Sequence, residues 1–122
     1  MGTPYEIDAR GAILFIEDVG EEPYRIDRML TQLRLSGKLQ QAAGIAWGEC
    51  SKCVPREFDP GFESTFSTPE VVDQMFGQLN VPVLSGLVIG HTADQLTLPY
   101  GVMATLDADR QTLTMEEAAT VA

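Results

Sequence analysis

Residues suited to metal or redox chemistry are scarce in this sequence, which has one histidine, two cysteines and one tryptophan among 122 residues. A structural zinc site needs four nitrogen or sulfur ligands, and Cys50, Cys53 and His91 supply only three. The C-x-x-C spacing of Cys50 and Cys53 also fits a redox motif. Such a motif opens a helix, however, whereas Pro55 and a polar stretch follow here. Two ordinary reduced thiols, and no bound metal, are the expectation. Long apolar runs are absent too: none approaches the roughly 20 residues that cross a bilayer. The polar N-terminus, with Asp8 and Arg10, does not read as a signal peptide. A cytoplasmic location and no membrane partner are therefore expected. Basic residues are few, eight Lys and Arg against eighteen Asp and Glu, for a formal charge of −10. Nucleic acid is not an expected partner, because phosphate contacts need clustered cations. Acidity of this kind favours solubility and names no ligand. There is no internal repeat and no low-complexity segment.

What is present reads as one domain able to bury a core, with 44% apolar residues. Residues 1–10 read as an extended lead-in. The apolar run 12–16 predicts a strand buried on both faces, ended by Glu17 and Asp18. A helix follows, with Glu21 and Glu22 before it, Pro23 in its first turn and Gly37 just past its end. Its apolar stripe is Ile26, Met29, Leu30 and Leu33. A second buried strand is expected over 43–47 and a loop over 51–66. Ser67 and Glu70 have capping-box spacing ahead of a helix with Val71, Val72, Met75, Phe76 and Leu79 on one face. Short strands follow at 81–84 and 87–89. A hairpin is expected from 102–106 and 112–115, and the chain should fray from Glu117. The order strand, helix, strand, helix and then several strands indicates an α/β fold with an added β element.

Few polar residues sit where chemistry gathers. Glu17 ends a strand and precedes a helix, the position at which ligand sites form in open α/β sheets. It could equally do no more than solvate a turn. His91 follows a strand-like run, and Gly90 before it allows close backbone approach. An imidazole can move a proton between a hydroxyl and a leaving amine when a carboxylate fixes its tautomer. Glu17 is the first candidate for that carboxylate and Glu49, at another strand end, is the rival. Tyr24 and Tyr100 could line a pocket or simply pack. Ser51 and Ser85 are nucleophiles in name only, because neither lies in a Gly-x-Ser-x-Gly elbow.

The run from Ala12 to Leu33, containing Ile16-Glu17-Asp18-Val19-Gly20, resembles the LD-carboxypeptidase family of serine peptidases. So does Val81 to His91, followed by Leu96-Thr97-Leu98-Pro99-Tyr100-Gly101. The resemblance implies a layered β/β/α swivelling-type C-terminal domain over 11–122, with mixed short strands and two main helices. Residues 1–10 would lead in from an absent N-terminal domain that carries the serine and its oxyanion hole. Glu17 and His91 would be the glutamate and histidine of a Ser-His-Glu triad, with Glu49 a lesser candidate. The implied reaction is hydrolysis of the bond to a C-terminal D-amino acid in a murein tetrapeptide, without a cofactor, and the chain alone would be inactive. A sister branch cuts peptide–nucleotide antibiotics in self-immunity, and a non-catalytic peptide- or partner-binding domain is the third alternative. The family also implies homodimers.

Overall fold

A computed structural model describes residues 1–55 and 65–120 of the chain. The elements are β1 (Ile13–Ile16), α1 (Pro23–Leu35), α2 (Lys38–Gln41), β2 (Gly44–Gly48), α3 (Thr68–Phe76), β3 (Val83–Leu87), β4 (Ala104–Asp107) and β5 (Thr112–Met115). The first three strands form a parallel sheet in the order β1-β2-β3, and β4 and β5 pair antiparallel. Most of the expected 51–66 loop, with Pro60 and Gly61, lies outside the described residues.

Strand alternation divides the sheet into two faces. Leu14 and Ile16 of β1, with Ile45 and Trp47 of β2, pack against Ile26 and Leu30 of α1 and Val71, Val72, Met75 and Phe76 of α3. Trp47 meets Phe76 edge-on, with ring centroids 5.6 Å apart. Ile13, Phe15 and Ala46 look the other way, into an apolar cleft of about 260 Å³ shared with Leu113 and Met115 of β5. A β-carbon on Gly44 would stand 3.6 Å from Leu106 Cδ1 of β4. Hairpin, sheet and helices thus form β/β/α layers. β2 is buried throughout because it is the central strand, whereas β1 lies at the sheet edge and is only half-buried, not buried on both faces.

Pro23 opens α1, and Pro23, Ile26 and Leu30 are its buried residues. Met29 is 41% exposed, so it leaves the expected stripe: its neighbour Leu30 takes the inward position about 100° away around the helix. Gly37 stands past the helix at φ 78 and leads directly into α2, a short helix that the apolar pattern does not announce. α2 buries Leu39 and also Lys38, whose ammonium lies 2.9 Å from Glu6 Oε1. That hydrogen bond holds the Glu6 carboxyl below its ordinary pKa. Residues 1–10 are therefore not simply extended: Glu6 N–H closes a turn on Thr3 O, and Ala9 is buried. The Ser67–Glu70 capping box forms, and Leu79, just beyond α3, still packs on the core.

The two expected strands at 81–84 and 87–89 are one strand, β3. Ala46 pairs with Leu84 and Gly48 with Leu87, so three steps along β3 match two along β2. Gly86 has φ 76, which accommodates the extra residue of such a bulge. After the bulge the strand runs out of phase with Val83 and Ser85. The hairpin forms two residues later on its first arm than expected. Glu117 does not fray, because its carboxylate accepts the Met103 N–H at 2.7 Å. No helix among the described residues is long and apolar enough to cross a membrane.

Candidate active site

The carboxyl ends of β1, β2 and β3 lie side by side, and Glu17 is the first residue beyond β1. Alternation places it on the face of Ile13 and Phe15, away from the helices. The strand register brings it opposite Gly48, since Ile16 pairs with Trp47. A β-carbon on Gly48 would stand 2.9 Å from Glu17 Cβ, 2.9 Å from Ile89 O and 3.2 Å from Phe15 Cε2. A second glycine closes the other side. At φ 107, Gly90 has a backbone that L side chains rarely adopt, and a β-carbon there would overlap Glu17 Oε2 and stand 3.0 Å from Glu17 Cδ. The Glu17 side chain thus occupies a slot whose walls are two glycines. Gly90 was legible as a point of close approach. Gly48 was missed, and its only sequence signal is a hydrogen side chain next to Trp47 at the end of a bulky strand.

His91 leaves the sheet after β3 in a loop anchored at both ends. Ile89 is 3% exposed, and the Leu96 N–H closes back on Val88 O at 2.9 Å. The imidazole Nδ1 lies 3.2 Å from Glu17 Oε2, at the long edge of hydrogen-bond reach. A carboxylate only accepts, so the proton of this bond sits on Nδ1 and the Nε2 lone pair stays available. Nε2 makes no hydrogen bond among the described residues. The His91 side chain is 61% exposed and that of Glu17 21%, so the acceptor is sheltered and the ring faces outward. The pair can take a proton at Nε2 and stabilise the resulting imidazolium.

Glu49 does not join them. It is one residue beyond Gly48 and therefore on the opposite face, exposed at the mouth of a cleft with Trp47 and with Thr68, Val72 and Asp73 of α3. Its carboxylate has no partner among the described residues. Ser85, exposed in β3, shares that cleft, and Ser51 bridges Val19 through its backbone; neither hydrogen-bonds His91. Tyr100 lies over Phe15, 6.3 Å between centroids, and is mostly exposed. Tyr24 accepts a hydrogen bond from Arg25 Nε at 3.0 Å on the surface of α1. Cys50 and Cys53 are free thiols. Burial, and then the neighbouring Cys53, push the Cys50 thiol up to about 12, so it stays protonated and unreactive at neutral pH. No group of three His, Cys, Asp or Glu residues is placed to hold a metal among the described residues.

The profile of the family described as LD-carboxypeptidase C-terminal domain matches residues 1–106. A Bacillus subtilis protein named "Probable murein peptide carboxypeptidase" is 41% identical over 116 residues, which is 95% of this chain and 35% of that protein. The crystal structure of muramoyltetrapeptide carboxypeptidase from Oxalobacter formigenes superposes with a TM-score of 0.71 at 36% identity, over 97% of this chain and 36% of the other. The microcin C7 self-immunity protein MccF in complex with aspartyl sulfamoyl adenosine superposes with a TM-score of 0.80 at 26% identity, over 98% and 34%. The chain spans about a third of the length of the curated relatives it matches.

Proposed function

The chain belongs to the LD-carboxypeptidase family as its C-terminal domain, and from that membership we propose that Glu17 and His91 serve as the carboxylate and the base of a Ser-His-Glu triad. The serine would come from a nucleophile-bearing N-terminal domain, with residues 1–10 leading in from it. The observation that carries this reading is the Glu17–His91 pair at 3.2 Å, with Nδ1 engaged and Nε2 without a hydrogen bond among the described residues. The substrate would be a murein tetrapeptide ending in a D-amino acid, acted on in the cytoplasm. The names and identities of the murein-peptide relatives support that substrate over a peptide–nucleotide.

In this mechanism Nε2 takes the serine proton as Oγ bonds to the carbonyl carbon of the scissile amide. His91 then delivers that proton to the leaving nitrogen, the C–N bond breaks and the D-amino acid departs. Water attacks the resulting ester, again giving its proton to Nε2, and the proton returns to serine as the shortened peptide leaves. Glu17 stays ionised throughout, fixing the tautomer and stabilising the imidazolium. No cofactor enters these steps.

The test is a chimera in which this chain replaces the matching third of the Bacillus subtilis relative. D-alanine release from murein tetrapeptide by the chimera, and none by this chain alone, is the expected result. A chimera that folds and cleaves an aspartyl sulfamoyl nucleoside but not the tetrapeptide would favour the self-immunity branch. A folded chimera whose activity survives replacement of His91 would overturn the triad.

A further inference from the structure

His91 is held by very little. Most of its ring is exposed, and its one side-chain partner among the described residues is Glu17. The residue before it must be glycine, because the Glu17 carboxylate fills the space of a β-carbon at position 90. That requirement has a conformational cost. Gly90, at φ 107, has no side chain of its own to hold its backbone torsions, so the Gly90–His91 peptide plane is less restrained than at most residues. Turning it would swing the imidazole off the carboxylate. A second contact opposes this motion: the Gln95 side-chain amide Nε2 donates to Gly90 O. The next residue, Leu96, closes the loop on Val88 at 2.9 Å. A backbone bond and a side-chain bond therefore clamp the same turn, and the side-chain bond falls on the carbonyl of the peptide that joins Gly90 to His91.

We propose that Gln95 is a positioning residue that locks the Gly90–His91 peptide plane, and through it keeps the His91 proton on Nδ1, facing Glu17. The assignment rests on the Glu17–His91 reading above and deepens it. Among the described residues Gln95 hydrogen-bonds neither partner of the pair. It restores, from outside the slot, the rigidity that Gly90 surrenders.

The single histidine makes the test direct, since every imidazole nitrogen signal in an ¹⁵N spectrum of this chain belongs to His91. With the ring neutral, the parent chain should show Nδ1–H as the predominant tautomer, against the ordinary preference of a free imidazole. Gln95→Met keeps the length and removes the donor. It should lower the ratio of Nδ1–H to Nε2–H by about fivefold, the worth of one ordinary hydrogen bond. Gln95→Lys, which can again donate to Gly90 O, should recover most of the parent ratio. The side chain is exposed, so both variants should keep the parent circular dichroism and denaturation midpoint. A parent with Nδ1–H predominant and an unchanged Gln95→Met spectrum would overturn the Gln95 assignment alone. A parent whose tautomer ratio is unaltered by Glu17→Leu, which leaves no acceptor for Nδ1–H, would overturn the pair itself, and the assignment with it.

Discussion

At the carboxyl end of β1, Glu17 sits in a slot between Gly48 and Gly90, 21% exposed, with its carboxylate on an imidazole. One strand over, at the carboxyl end of β2, Glu49 is exposed, faces the α3 side and pairs with nothing among the described residues. Both residues directly follow an apolar strand and both are chemically the same acid. Register separates them: Glu17 aligns with Gly48, so Glu49 is one step further and on the other face. Since His91 returns to the Glu17 face, a single residue of offset decides which glutamate can partner it.

The sharpest way to break this contrast is turnover. In the chimera, Glu17→Gln should keep the fold and lower kcat by up to about 10⁴-fold, the scale known for the equivalent change in a serine protease. Glu49→Gln in the same chimera should leave kcat within a small factor of the parent. Comparable losses from both would remove the distinction.

The position of Glu17 also depends on the layer beneath it, where Ile26 and Leu30 of α1 share one core cluster with Leu14 and Ile16 of β1. Leu30→Ala, at 2% exposure, should destabilise the chain by about 2–5 kcal/mol. Met29→Ala, one residue away on the open side, should cost under about 1 kcal/mol. Urea midpoints that move equally would show that the helix is phased differently.

The glycines sharpen the contrast on a smaller scale. Gly86→Ala meets no atom within 4 Å and bears only the left-handed backbone, about 1–2 kcal/mol. Gly90→Ala bears a comparable backbone cost and also displaces the Glu17 carboxylate. Its midpoint should fall further, and the Nδ1–H preference of His91 should vanish only in that variant.

The effect that is smallest at neutral pH concerns Cys50, the residue after Glu49. Its thiol has a pKa of about 12 in the folded chain against an ordinary 9.0. Between those values the unfolded chain loses the proton first, so it binds fewer protons than the folded chain and stability falls as pH rises from about 9. Urea midpoints measured across that window should decline less steeply for Cys50→Ala than for the parent. Parallel declines would show that burial of this thiol contributes nothing.

Much of this was legible beforehand. The capping box at Ser67, Pro23 at the start of α1 and the strands expected over 12–16 and 43–47, found to start one residue later at 13–16 and 44–48, follow from local propensity and period, which act over a few residues. The errors fall where distant contacts overrule local pattern. α2 has no apolar period, and it buries Lys38 because Glu6 lies across from it. Ser85-Gly86 looks like a break between strands, yet pairing with β2 carries the strand through as a bulge. Glu117 looks like a frayed end until the Met103 N–H reaches it.

For the site, the sequence by itself determined the candidates: one histidine, a glutamate at each of two strand ends, and a glycine beside the histidine. Those choices are chemical, and residue identity settles them. The family resemblance favoured Glu17, but spacing alone could not show which glutamate meets His91, because the partners lie 74 residues apart and local spacing carries no information over that distance. The tertiary structure decided that through three long-range facts: the parallel register that sets Glu17 against Gly48, the extra residue in β3, and the absence of a β-carbon at Gly90 where the carboxylate needs the space.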